Sequence, residues 1–108
     1  MSKREALARY SIIIKKLRVH PSSFAEISDR LAFESELQGY DYNISSRTFS
    51  RDRNEIESLY GIYIKYNWST KKYYIDTDYD EDMNMRMLEA FDTFNLLNLT
   101  DRVSNEIH

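Results

Sequence analysis

Residues 44–60 read I-S-S-R-T-F-S-R-D-R-N-E-I-E-S-L-Y, and the phase of this stretch decides the fold. At about 100° per residue, a helix here puts Phe49, Ile56 and Tyr60 on one side and Arg47, Arg51, Asn54 and Ser58 in a stripe on the other. One side packs and the other reaches. Ser45 has the chemistry of an N-cap, and Ile44 just before it is spaced to pack on Phe49 as a hydrophobic staple. The first turn then holds Ser46 and Arg47, where free N–H groups and the positive end of the helix dipole favour an anion such as a phosphate. A solvated polar face is the plainer reading of two arginines spaced i, i+4, and the rest of the chain has to decide between them.

The helix sits in the positive part of a divided sequence. Residues 1–75 carry 13 Lys or Arg against 9 Asp or Glu, whereas residues 76–108 carry 2 against 9, and the whole chain has a net charge of −3. What counts for a polyanionic partner is where the basic groups lie, and here the positive part of the chain includes the candidate helix. A chain of 108 residues that is 42% apolar can bury one small core. It has no run of 18 apolar residues to cross a membrane, no signal-peptide core, and no cysteine for a disulfide or thiolate metal site. A cytoplasmic protein without cofactors is expected.

Upstream, Ser2 and Glu5 have capping-box spacing, and Ala6, Leu7, Tyr10, Ile13, Ile14 and Leu17 follow a helical period up to Pro21. Lys3, Arg4 and Arg9 fall outside this stripe, and are expected in water rather than on a phosphate. Ser23 and Glu26 repeat the capping box; Phe24, Ile27, Leu31 and Leu37 carry a second helix to Gly39. In the connecting G-Y-D-Y-N, Tyr40 and Tyr42 are expected to brace the loop against the core. After Gly61 the period changes to two: Ile62, Ile64 and Tyr66 alternate with Tyr63 and Lys65, then N-W-S-T-K-K leads into Tyr73, Tyr74 and Ile75. This pattern predicts a hairpin. Three helices and a hairpin make a winged helix-turn-helix over residues 1–75, mainly α with a small β-hairpin. Trp68, Lys71 and Lys72 then come at or near the tip of the wing, where the lysines reach backbone phosphate.

Residues 76–108 form an acidic linker followed by a helix. D-x-D-x-D from Asp76 has the look of a calcium loop, but Glu81 stands at the glycine position and Met87 at the bidentate glutamate position, so no metal is expected. From about residue 81 to 98, Met83, Met87, Ala90, Phe91, Phe94 and Leu97 make a continuous apolar stripe. Such a stripe needs a partner, and an intersubunit or interdomain contact is expected, with a homodimer through this C-terminal connector helix. Thr100 and Asp101 look like the start of a further helix that ends at His108, as in a piece of a longer chain.

The sequence resembles the N-terminal part of bacterial WYL-domain transcriptional regulators, which carry a DeoR-like winged helix-turn-helix. S-S-R-T-F-S-R-D at residues 45–52 looks like the family's S-x-R-T-x-x-R-D pattern, S-F-A-E-I is similar to its second-helix opening, and L-E-A-F-D-T-F-N-L-L-N-L at residues 88–99 is similar to its helical connector. The resemblance implies that Ser46, Arg47, Thr48, Ser50 and Arg51 approach double-stranded DNA, while Phe49 and Asp52 hold the helix in place. It also implies an effector bound only by a further, C-terminal domain that these residues do not include. Arg53 departs from the pattern, which has an apolar residue there; its stem is expected at the core margin, with its head toward Glu57 or solvent.

A recognition helix at about residues 46–60 would enter the major groove. Arg47 and Arg51 are the candidates for bases, Asn54 lies in line with them, and Ser45, Ser46, Thr48, Lys71 and Lys72 are candidates for phosphate. A winged-helix protein-interaction module that no longer binds DNA is the alternative. Catalysis is not expected: the only imidazoles are His20 and His108, and two glycines cannot build a phosphate loop.

Overall fold

Two serine caps and two left-handed glycines mark the ends of the helices. In the computed structural model, which describes residues 3–76, α1 spans Lys3–Val19, α2 Phe24–Gln38 and α3 Ser46–Tyr60, followed by strands β1, Ile64–Asn67, and β2, Lys72–Ile75. The chain is mainly helical there, with one two-stranded antiparallel sheet, an arrangement compatible with a winged helix. The expected connector helix, with Met83, Met87, Phe91, Phe94 and Leu97, lies outside the described residues. No helix among the described residues is long and apolar enough to cross a membrane.

The ends of α2 and α3 have local causes. At the start of α2, Ser23 Oγ accepts from Glu26 N at 3.2 Å, and Glu26 Oε1 accepts from Ser23 N at 3.3 Å, so both halves of the capping box are made. Gly39 and Gly61 close α2 and α3 at φ 76° and 66°, a region where an L side chain is strained, and their N–H groups return to Ser35 O and Glu57 O.

The core gathers Tyr10, Ile13, Ile14 and Leu17 from α1, Ile27 and Leu31 from α2, Phe49 and Ile56 from α3, and Ile62 and Ile64 from the approach to the hairpin. Leu37 is not part of it. It stands 69% exposed, because the buried stripe of α2 ends at Leu31, and one turn further on Ser35 binds the loop. Ser35 Oγ accepts from Tyr42 N at 2.9 Å, and the buried Tyr42 donates its hydroxyl to Gln38 Oε1 at 2.9 Å. Tyr42 therefore braces the loop as expected, while Tyr40 remains 41% exposed beside it.

The hairpin is held from both ends. Ile64 pairs with Ile75 and Asn67 with Lys72, which fixes the register. On the outer edge of β2, Ser22 and Tyr73 exchange backbone hydrogen bonds of 3.0 and 2.7 Å, tying the α1–α2 connection to the sheet. Asp76, the first residue after β2, is buried: its N–H donates to Tyr63 O at 2.8 Å, and its carboxylate meets Lys65 Nζ at 2.8 Å.

Candidate functional site

The exposed side of α3 is built from its buried side outward. Phe49, Asp52 and Ile56 are buried, and Phe49 lies against the rings of Phe24 at 5.5 Å and Tyr73 at 4.8 Å, which sets the rotation of the helix about its axis. With that rotation fixed, Ser46, Arg47, Ser50, Arg51 and Asn54 all face solvent. Arg47 and Arg51 are one turn apart, about 6 Å along the axis, and neither enters an ion pair among the described residues.

The helix start is committed in part. Ser45 Oγ accepts from Thr48 N at 3.2 Å and donates to Thr48 Oγ1 at the same distance, so both hydroxyls serve the cap and Thr48 is only half-exposed. The N–H groups of Ser46 and Arg47 precede the first intrahelical bond, which runs from Phe49 N to Ser45 O. The same face turns acidic further on, where Glu55 and Glu57 are exposed. An anion therefore meets favourable charge only along the first two turns.

Two arginines behave otherwise than their sequence positions suggest. Arg9 is not in water: its side chain is 4% exposed and forms a two-point pair with Asp52. Burial of this guanidinium beside the apolar stripe of α1 is matched by a carboxylate from α3. Arg53 does not reach for Glu57. Its Nε and Nη2 donate to Ile64 O at 3.2 and 2.8 Å, and its guanidinium lies 4.9 Å from the centroid of the Tyr73 ring. Its acceptor is thus a backbone carbonyl at the start of β1 rather than a carboxylate on its own helix.

At the hairpin, Lys71 is exposed in the left-handed region at φ 58°, and its N–H closes the turn on Asn67 O at 2.8 Å. Lys72 belongs to β2 rather than to the tip; it is half-buried, with Nζ 3.9 Å from Glu26 Oε1. Glu26 is held below the ordinary glutamate range, chiefly by the hydrogen bond from the Ser23 backbone and with a smaller contribution from Lys72. Burial pushes the hydroxyls of Tyr10 and Tyr60 up, in Tyr10 with further help from Asp52.

The residues that position the site, Arg9 and Arg53, carried no sequence signal beyond lying near a core margin. Trp68 was legible as a tip residue, and it stands 83% exposed. Among the described residues no group of three or more His, Asp or Glu side chains is arranged to hold a metal ion. Comparison of the chain with protein-family models, with curated proteins and with solved structures finds no match in any of the three.

Proposed function

We propose that this chain binds double-stranded DNA in a sequence-specific manner, as the winged helix-turn-helix part of a bacterial transcriptional regulator of the WYL-domain kind that its sequence resembles. The observation that carries the reading is the exposed pair Arg47 and Arg51 on the first two turns of α3, opposite the buried Phe49, Asp52 and Ile56. A helix fits the major groove, and an arginine on its outward face can make a two-point contact with O6 and N7 of guanine. Ser46, Ser50 and the free first-turn N–H groups bind flanking phosphate, which fixes register without reading sequence. Lys71 reaches phosphate from the wing. Lys72, tethered near Glu26, contributes charge more than contact.

The acidic half of α3, from Glu55 on, lies at the groove margin in this docking. That is the usual geometry of a recognition helix, whose N-terminal residues meet the bases. Operators are commonly read by dimers whose two recognition helices meet successive major grooves roughly 34 Å apart on one face of the duplex, and residues 81–98 are our candidate for the pairing surface.

Selection of bound sites from random duplex DNA at fixed salt tests the reading. The expected result is an enriched, two-fold symmetric consensus whose affinity falls steeply with salt, with a slope near about −0.9 per phosphate contact. No enrichment, together with no salt dependence, overturns it.

A second reading has one observation in its favour. Phe33 and Leu37 stand 55% and 69% exposed on α2, on the side away from the core, as in a protein-interaction module. Heparin retention and salt-sensitive duplex binding separate the two readings, since only a DNA reader has both.

A further inference from the structure

We propose that the cleft between the α1–α2 connection and the hairpin binds a small carboxylate with a flat apolar body. Such a site does not depend on the DNA-binding reading, and Lys72 is the one residue that the two share.

The sheet sets where the cleft lies. Tyr73 turns its ring onto Phe49, 4.8 Å away, and its backbone is bridged to Ser22. Side chains alternate along a strand, so Lys72 and Tyr74 point to the opposite face of β2, and Asn67, which pairs with Lys72, points the same way. His20 and Pro21, just before the bridge at Ser22, form the other wall. The cleft has a volume of about 570 Å³, inside the range of roughly 300–1,000 Å³ for small-molecule sites.

Its lining is mostly apolar, from Pro21, Ile75 and the ring of Tyr74. The imidazole of His20 adds a second flat surface. It is held by a hydrogen bond of 2.8 Å to Pro21 O, in which Nδ1 donates because a carbonyl only accepts. Two rings and a proline suit a rigid planar body, which buries apolar area while losing little freedom of its own.

The polar groups of the cleft converge as donors. Asn67 Oδ1 is committed to Ser69 N at 2.9 Å and Thr70 N at 3.3 Å, so its Nδ2 group is the part left for a ligand. The hydroxyls of Thr70 and Tyr74 and the ammonium of Lys72 join it, and no carboxylate among the described residues lines the cleft. Asn67 and Lys72 stand directly opposite on the ladder, so the two oxygens of one carboxylate can accept from both. Lys72 Nζ meets Glu26 Oε1 only at 3.9 Å, and that oxygen already accepts from Ser23 N. One ammonium beside that carboxylate matches a monoanion, whereas a phosphate dianion would bring uncompensated negative charge next to Glu26.

The test is shift mapping by NMR on the isotope-labelled full chain, titrated separately with naphthoate, with uncharged naphthamide, with inorganic phosphate and with a mixed-sequence duplex. The expected result is saturable shifts at His20, Thr70, Lys72 and Ile75 with naphthoate, at much lower concentration than with naphthamide or phosphate. Lys72→Met should weaken naphthoate binding about tenfold, the loss for one hydrogen bond from a charged group. Thr70→Val, at an exposed position of the turn, should weaken it about threefold with the fold unchanged. Naphthoate binding equally well to both variants overturns the site. Naphthamide acting as strongly as naphthoate overturns the carboxylate, and phosphate doing so overturns the apolar body. Shifts at these residues with the duplex and none with naphthoate overturn the small-molecule site and give the cleft to the nucleic-acid surface. No saturable shift with any of the four up to about 10 mM of the small molecules overturns it outright.

Discussion

Arg9 of α1 and Asp52 of α3, 43 residues apart in sequence, form a buried two-point ion pair: Nε to Oδ2 at 2.6 Å and Nη2 to Oδ1 at 2.7 Å, with both side chains 4% exposed. Parallel N–H bonds from a planar guanidinium to a carboxylate fix direction as well as distance. The pair thus locks the rotation of α3 against α1 on the side next to Phe49. Removing one partner leaves a buried charge alone. Arg9→Ala or Asp52→Ala should each cost about 3–5 kcal/mol in urea unfolding, whereas Arg9→Met with Asp52→Leu should recover much of the loss. A single-variant loss below about 1 kcal/mol would mean that water reaches the pair and that it resembles a surface bridge.

Arg47→Ala and Arg51→Ala test the outward face without touching the core. Both side chains are exposed, so thermal unfolding should be nearly unchanged. Binding to a selected site should fall by about tenfold or more in each, with relaxed preference at one base position, because a two-point guanine contact is lost. Equal affinity of both variants and wild type in gel shifts would take α3 out of the interface.

Local pattern carried much of this in the sequence, and long-range pairing did not. The 3.6-residue period, Ser23, Ser45, Gly39 and Gly61 defined the helices because each of those signals acts within one turn. The alternation from Ile62 to Ile75 defined the hairpin for the same reason. The sequence points Arg9 toward water because charge outside an apolar stripe is usually solvated, and nothing near it in sequence announces the carboxylate of Asp52. Arg53 lies at the core margin as its phase implies, but the partner of its head is a backbone carbonyl, and carbonyls have no sequence signature. Leu37 obeyed the helical period but lay beyond the reach of the core, where Ser35 and Tyr42 already close it.

Phe49→Ala should be the most damaging single change in α3. The ring is 1% exposed and contacts both Phe24 and Tyr73, so its loss opens a cavity shared by α2, α3 and β2. The expected cost is about 3–5 kcal/mol, enough to unfold a small domain at room temperature. A folded variant with a denaturation midpoint near that of wild type would show that the neighbouring rings collapse into the space.

Glu26 gives a pH dependence whose sign is fixed. Its folded-state value is depressed, first by the hydrogen bond from the Ser23 backbone, so its contribution is present above the ordinary glutamate range and is lost as pH falls through the lower folded value. Glu26→Gln keeps an acceptor for the capping box but has no such titration. The stability of wild type minus that of Glu26→Gln should be positive at neutral pH and decline in acid, below the unperturbed value near about 4.3. Urea midpoints measured for both proteins across that range check it, and a difference independent of pH would show that the carboxylate charge plays no part in the cap.

Arg53 joins α3 to β1, and its replacement by lysine should not be conservative. The guanidinium donates from Nε and Nη2 to the single acceptor Ile64 O while lying 4.9 Å from the Tyr73 centroid. An ammonium can reproduce one hydrogen bond but neither the fork nor the flat contact with the ring. The loss should be roughly 1.5–3 kcal/mol, the range for a hydrogen bond from a charged group. It should also be uneven. Arg53 bonds the first residue of β1, which pairs with Ile75 at the far end of β2, so Arg53→Lys should loosen the hairpin from α3 while leaving the α1–α2 packing closed. Amide exchange should then accelerate at Ile64–Asn67 and Lys72–Ile75 more than at the buried turns of α1 and α2. Uniform acceleration across all elements would mean instead that the hairpin and helices open as one unit, and that Arg53 contributes to global stability without a separate role in docking the hairpin.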